Sequence, residues 1–164
     1  MDTLTAIGNR RSARRFKKQP VARAILEKLV DAARLAPTAR NDQPWEFVVL
    51  TDRKTIEEVA NLTDHGKFLA EAPACIAVFC QDTKYYLEDG CAATENILLA
   101  ATTLNVQSCW IAGDKKPYAE AVAARLGAPP KHRLVSLLAL GYADGEVKKL
   151  PKRSLDRVIH WEKF

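Results

Sequence analysis

Glycine and cysteine are scarce in this chain of 164 residues, and each shortage excludes a kind of site. None of the seven glycines lies in Leu50-Thr51-Asp52-Arg53, after the first predicted strand, where a Rossmann dinucleotide fold or a Walker A site needs them. The four cysteines form no C-x-x-C pair, and no histidine stands at zinc-finger spacing. We therefore expect free, mostly buried thiols and no metal, and any phosphate must be held by side chains.

Long apolar runs and aromatic residues are also few. No run reaches membrane-spanning length, and residues 1–16 lack the apolar core of a signal peptide. Phe16 is the only aromatic residue before Trp45, so the basic N-terminal region has no stacking platform for nucleic acid. With 48% hydrophobic and 27% charged residues, the chain has the composition of one globular domain over 1–164. We expect a cytoplasmic protein with no membrane or nucleic-acid partner.

Hydrophobic spacing alternates helices with strands along the chain. It predicts helices over 20–36, 52–62, 82–105 and 117–126, and strands over 47–50, 75–80, 106–111 and 133–142. This alternation indicates a sandwich of helices around a sheet and leaves the strand directions open. Small residues in the third helix, including Gly90, predict close packing in the core or at a subunit interface.

Positive charge is concentrated near both ends of the chain. The net charge is +5. Four arginines and Ser12 lie between residues 10 and 15, and a second basic segment spans 148–153. Guanidinium forks and a hydroxyl suit a phosphate with several oxygens. Because Leu155, Val158 and Trp161 follow the second segment, we expect the tail to dock and to bring both segments around one anion. A solvated basic patch is the alternative.

Two further segments carry polar or small residues where loops are predicted. Thr38, Asn41 and Gln43 supply donors and acceptors that could read a heterocycle, or they could form an ordinary helix-terminating turn. Gly113 follows Cys109-Trp110-Ile111-Ala112 and has no side chain, so another group can lie close to the backbone there. That neighbour is either a flat ligand ring or an ordinary part of the chain at a strand exit.

Taken together and in this order, these segments resemble the FMN-dependent nitroreductase superfamily. The resemblance runs from Leu4 to about Trp161 and is specific because several weak motifs occur in register. Its motifs are Arg10-Arg11-Ser12-x-Arg14-x-Phe16, Ala36-Pro37-Thr38-x-x-Asn41-x-Gln43-Pro44-Trp45, Asp89-Gly90-x-Ala92-x-x-x-Asn96-Ile97, and Gly141-Tyr142 with Pro151-Lys152-Arg153.

The resemblance implies an α+β sandwich around a central mixed, mainly antiparallel sheet, in an intertwined homodimer with FMN between the subunits. The tail, about 148–164, would dock on the dimer. The phosphate, ribityl and ring polar atoms would meet Arg10, Arg11, Ser12, Arg14, Lys152 and Arg153. Pro37, Thr38, Ala39 and Asn41 would reach across from the partner subunit, with Gln43 in the same loop. Ile111, Ala112 and Gly113 would lie along the ring, and Lys67 near its carbonyl side.

The activity implied by the resemblance is that of an NAD(P)H oxidoreductase with ping-pong kinetics. NADH or NADPH would deliver hydride to flavin N5 and leave, and a small aromatic, nitro or quinone acceptor would then receive the electrons. No catalytic side chain is expected, although Arg10 or Arg14 would stabilise the reduced flavin. The brief segment 113–117 leaves no room for a lid, so we expect an open pocket. A flavin-binding or flavin-handling protein with little turnover is the alternative.

Overall fold

Five helices pack around one four-stranded sheet in the computed structural model, which describes residues 1–164. The helices are α1 (Thr3–Asn9), α2 (Arg23–Arg34), α3 (Arg53–Leu62), α4 (Tyr86–Thr103) and α5 (Ala119–Arg125). The strands are β1 (Trp45–Leu50), β2 (Ala74–Gln81), β3 (Gln107–Ala112) and β4 (His132–Gly141), in the spatial order β1-β2-β4-β3. None of the helices combines the length and the hydropathy that a membrane span requires.

All three pairs of neighbouring strands in the sheet are antiparallel. Trp45 of β1 lies opposite Cys80 of β2, and Cys109 of β3 lies opposite Ala139 of β4. The parallel component is limited to an isolated bridge between Ser12 and Ser108. The predicted α+β sandwich around a mainly antiparallel sheet is thus confirmed.

Helices cover both faces of the sheet, so β2 is buried along almost its whole length. Alternate side chains of a strand point to opposite faces, and those of β2 divide accordingly between two apolar clusters. Phe79 packs with residues of α3 and α5, whereas Ile76 and Val78 pack with residues of α2 and α4. Burial on both faces explains why this strand is a continuous apolar run in the sequence.

Helix α4 lies close against the sheet at Gly90. A Cβ atom built there would be 2.7 Å from Val135 Cγ2 and 3.0 Å from Cys80 Sγ, closer than ordinary packing allows. The small residue is therefore required by contact with β2 and β4, as the sequence predicted. Helix α4 begins at Tyr86, four residues later than the predicted start at residue 82.

The N-terminal helix α1 and the C-terminal tail both differ from what the sequence predicts. Helix α1 is not predicted by hydrophobic spacing, because Ala6 is its one buried residue and a single contact gives no period. It begins after Asp2, whose carboxylate accepts a hydrogen bond from the Thr5 N–H at 3.1 Å. At the other end, Leu155 and Trp161 are 72% and 77% exposed, so the tail does not dock on its own chain. Its docking on a dimer stays a prediction.

Candidate functional site

Both basic segments line one open groove with a volume of about 1190 Å³. The two basic segments therefore lie beside one groove, as expected, although the tail beyond them does not dock on its own chain. The groove is lined by seven cationic side chains against three carboxylates, an excess of positive charge that an anionic ligand would offset. The cations are Arg10, Arg11, Arg14, Arg15, Lys148, Lys149 and Lys152, and the carboxylates are Glu95, Asp144 and Glu146. Arg153 is not among the lining residues.

The N-terminal wall of the groove is an extended segment fastened to the edge of the sheet. The Ala13 N–H donates to the Ser108 carbonyl at 3.0 Å, and the Lys17 N–H donates to the Tyr142 carbonyl at 2.8 Å. Ala13 and Phe16 are buried, which anchors the segment and leaves the neighbouring side chains for the groove. The segment pairs with the sheet only through isolated bridges, so it is not a regular strand.

Arg10 and Arg14 are oriented by residues that sequence motifs did not place beside them. The Arg10 Nε lies 3.8 Å from Glu95 Oε1 on α4, and the Arg10 side chain is 27% exposed. The Arg14 guanidinium lies 5.7 Å from the centre of the Phe68 ring, within the range of a cation–π contact. Both guanidinium groups keep free N–H donors for a ligand. No pattern links these partners, since long stretches of chain separate them from the arginines.

Arg11 and Arg15 have other partners, although both also line the groove. Arg11 donates to the Gly8 carbonyl at 2.8 Å, so part of its guanidinium is committed to backbone. Arg15 lies 3.5 Å from Asp144, with 76% of its side chain exposed. Arg14 also donates to backbone, to the Ser12 carbonyl at 3.5 Å. The four arginines therefore differ in partners and burial, and the binding of an anion by Arg10 and Arg14 stays a prediction.

The loop 37–43 lies apart from this groove. None of its predicted site residues, namely Pro37, Thr38, Ala39, Asn41 and Gln43, is among the groove-lining residues of the same chain. The loop instead contacts the first turn of α4, where the Ala39 N–H donates to Asp89 Oδ1 at 3.1 Å. Glu95, beside the groove, lies roughly 9 Å further along the helix axis. The expectation that this loop reaches a partner's flavin stays a prediction.

The backbone of this loop is strained. Arg40, Asn41 and Gln43 have φ angles of 53°, 60° and 49°, in the left-handed region. For residues with a side chain, this conformation costs about 1–2 kcal/mol each. Within the loop, the Thr38 hydroxyl accepts a hydrogen bond from the Gln43 N–H at 3.3 Å. Strain of this kind persists where surrounding structure imposes it, often at ligand sites.

Gly113 is required by packing within the sheet. A Cβ atom there would lie 2.6 Å from Leu134 Cγ and 3.0 Å from the Leu134 carbonyl oxygen. The close approach that the sequence predicted is therefore made to β4 of the same chain. Of the two residues before it, Ile111 is buried in the core and Ala112 is exposed. Whether this segment also lies along a flavin ring stays a prediction.

The segment 66–68 connects two of the predicted site regions. A Cβ atom at Gly66 would lie 3.0 Å from Ile111 Cγ2, while the ring of Phe68 contacts Arg14. Between them, Lys67 is exposed, and its Nζ donates to the Asn61 carbonyl at 2.7 Å. The structure thus brings Lys67, Arg14 and Ile111 to one side of the molecule, which their separate motifs could not show.

A second polar cluster fastens the short connection after β3 to α4. The Tyr86 hydroxyl donates to Asp114 Oδ1 at 2.7 Å, and burial together with this carboxylate raises the pKa of Tyr86 to about 12. The Arg133 guanidinium lies 4.9 Å from the centre of the same ring. The Tyr118 hydroxyl donates to the Ala112 carbonyl. The connection after β3 is therefore held against α4 by Asp114, and the open pocket stays a prediction.

Comparison with known proteins identifies the family. A model of the nitroreductase family matches residues 7–67 and 64–142. The chain belongs to the nitroreductase family. A relative from Archaeoglobus fulgidus, provisionally named an NADH dehydrogenase/NAD(P)H nitroreductase, is 35% identical over 153 residues, which cover 88% of this chain and 87% of the relative. The resemblance stated from the sequence motifs is thus confirmed.

One solved structure matches the fold over almost its whole length, and a further relative aligns over a longer span. The FMN-dependent nitroreductase of Clostridium difficile R20291 superposes with a TM-score of 0.92 at 28% identity, covering 98% of this chain and 99% of that one. The NADH dehydrogenase of Thermus thermophilus is 26% identical over 202 aligned positions, which cover 98% of this chain and 96% of the relative. That alignment is longer than the chain, so the Thermus protein carries insertions.

Proposed function

We propose that this member of the nitroreductase family is an FMN-dependent NAD(P)H oxidoreductase. The observation that carries the proposal is the groove in which Arg10, Ser12 and Arg14 meet Lys152 from the other end of the chain. Its guanidinium forks, ammonium group and hydroxyl fit a phosphate with an adjoining polar chain. The FMN dependence of the Clostridium difficile protein and the name of the Archaeoglobus fulgidus relative support this choice of cofactors.

The protein's own residues would bind and orient these cofactors. Arg10, partly shielded beside Glu95, would hold the phosphate end, while Arg14 over Phe68 keeps a positive charge in a fixed position. A fixed cation stabilises negative charge that develops on a bound ring. When bound, FMN supplies the two-electron transfer between nicotinamide and acceptor. We assign no nucleophile or general base.

We further propose that the functional unit is a homodimer with shared sites. The loop 37–43 lies apart from the groove of its own chain, and the tail exposes Leu155 and Trp161 to solvent. A partner that covers the tail would remove this apolar surface from water. The acceptor would be a small aromatic, nitro or quinone compound, which the open, lidless site would admit. The four free cysteines agree with a cytoplasmic location.

Anaerobic reduction tests the proposed activity. Purified protein loaded with FMN is mixed with NADH or NADPH, and the visible flavin absorbance is followed. We expect at least one nucleotide to bleach the flavin and a nitroaromatic or quinone to restore it. Parallel double-reciprocal plots would support ping-pong kinetics. Tight FMN binding without bleaching by either nucleotide would instead favour the flavin-handling alternative.

A further inference from the structure

Asp89 is a buried carboxylate that the groove chemistry does not use. It is 5% exposed and lies in the first turn of α4. Its Oδ1 accepts the hydrogen bond from the Ala39 N–H, whereas its Oδ2 is buried without a partner. Burial of a carboxylate is costly unless its oxygens are well paired. Stability of the fold alone therefore does not explain an aspartate at this position.

The hydrogen bond of Asp89 ties the strained loop 37–43 to the helix. The bonds from the Gln43 N–H to the Thr38 hydroxyl and from the Asp42 N–H to the Ala39 carbonyl are internal to the loop and would move with it. Three left-handed residues make this conformation unfavourable without an external support. A hydrogen bond to an ionised carboxylate is stronger than one between neutral groups, and the N-terminal turn of a helix favours the negative charge.

We propose that Asp89 is a positioning residue that holds the loop 37–43 in its ligand-ready conformation. The inference rests on the proposed function, in which this loop meets the flavin in the partner's groove. A loop ordered before binding loses less conformational entropy when the ligand arrives, so FMN binds more tightly. Asp89 then acts through Ala39 and its neighbours and does not itself touch the cofactor.

Limited proteolysis measures the support of the loop without any cofactor. Arg40 is exposed in the loop and offers trypsin a cleavage site. We expect Asp89→Ala to speed cleavage after Arg40 on the order of tenfold, because the loop leaves its strained conformation more often. Thr94→Val is the matched control: it lies on the same helix and removes a buried hydrogen bond to Ser136, but does not contact the loop. Its cleavage after Arg40 should stay near the wild-type rate.

The affinity for FMN measures the functional consequence. Titration of flavin-free full-length protein, followed by quenching of flavin fluorescence, should show a dissociation constant raised on the order of tenfold by Asp89→Ala. Asp89→Asn keeps an oxygen that accepts from the Ala39 N–H and should recover most of this loss. Thr94→Val should bind as the wild type does, even if it unfolds at a lower temperature.

The inference would be overturned if Asp89→Ala kept the cleavage rate and FMN affinity of the wild type. Equal losses in Asp89→Ala and Thr94→Val would also overturn it.

If Asp89→Ala does not fold, Ala39→Pro removes the N–H donor instead. Thr38 has the extended conformation that proline tolerates before it, with φ −133° and ψ 154°. Weakened FMN binding in that variant would support the inference, and unchanged binding would contradict it. A wild-type chain that binds no FMN contradicts the proposed function, whereas the cleavage rates still report on the loop.

Discussion

At the scale of single residues, Arg10 and Arg15 belong to one basic run but differ in burial and partners. Arg10 is 27% exposed beside Glu95, whereas Arg15 is 76% exposed beside Asp144. We expect Arg10→Ala to raise the FMN dissociation constant about tenfold to a hundredfold, because a charged donor is lost. The matched variant Arg15→Ala should change it less than about threefold, since exposed charges contribute little. Titration with FMN checks this, and equal effects would refute the assignment.

The thiols offer a second test at this scale. Burial raises the pKa of Cys75 and Cys80 to about 12. Burial also raises the pKa of Cys91, but this thiol is only half-buried and reagents can reach it. Since the thiolate is the reactive form, a thiol reagent near neutral pH should modify Cys91 first and leave the other two intact in the folded protein. Mass spectrometry of the labelled protein identifies the site. Early modification of Cys75 or Cys80 would show that β2 opens more readily than its packing implies.

The same thiols make folding stability depend on pH. Their pKa is about 9 in the unfolded chain and about 12 in the folded one. The folded state therefore retains protons that the unfolded state releases, so their contribution is fully present below pH 9 and is lost as pH rises toward 12. Denaturant unfolding between pH 9 and pH 12 measures this loss. The free energy of unfolding should decline less steeply with pH in a Cys75→Ala, Cys80→Ala double variant than in the wild type. An identical decline would contradict the burial of both thiols.

Residue chemistry could be predicted from the sequence more fully than residue partners. The basic run and its phosphate-binding donors are evident from composition and order. Glu95 and Phe68, which orient Arg10 and Arg14, are ordinary residues in distant elements, and only the folded chain brings them together. Asp89 belongs to a motif that the sequence shows. Its hydrogen bond to Ala39 depends on the path of the irregular loop 37–43, which the sequence does not show.

At the scale of elements, close packing decides which glycines tolerate a side chain. Gly113→Ala should lower the free energy of unfolding by about 1–3 kcal/mol, because its Cβ would contact both side chain and backbone of β4. Gly8→Ala is the control: nothing lies within 4 Å, and the residue is in helix α1. It should be stabilising by about 0.5–1 kcal/mol. Chemical denaturation measures both, and a neutral Gly113→Ala would show that β3 and β4 can separate locally.

The four strands and four of the five helices could be predicted from the sequence, and helix α1 could not. All four strands and helices α2 to α5 follow from hydrophobic spacing. Asp52 caps α3, where its carboxylate accepts a hydrogen bond from the Thr55 N–H at 2.8 Å. Helices α1 and α5 each have seven residues and one buried side chain, but α5 closely follows Pro117, a start signal that α1 lacks. Gly113 was recognised as a point of close approach, but sequence cannot distinguish a ligand from a neighbouring strand.

At the scale of the whole molecule, the exposed tail predicts an assembly. Leu155, Val158 and Trp161 are exposed in a single chain, which is unusual for apolar residues grouped in one segment. We expect sedimentation to show a species of twice the 18.2 kDa chain mass. A chain shortened after Arg153 keeps the basic segment and should dissociate at protein concentrations at which the full chain stays dimeric. A full-length monomer, or an equally stable shortened dimer, would contradict this.

The architecture of one chain could be predicted from its sequence, but its complete site could not. Alternating elements and four motifs gave the sandwich, and the structure places both basic segments on one groove. The loop 37–43 lies elsewhere on the same chain, so any site that unites it with the groove depends on a second subunit. A pattern along one chain does not contain the contacts between two.

The visible spectrum of the purified full-length protein tests most directly whether the groove binds FMN. We expect the absorption bands of oxidised flavin, with FMN released when the protein is denatured, or the same bands after added FMN is taken up and the excess removed. A colourless protein that retains no added FMN would contradict it.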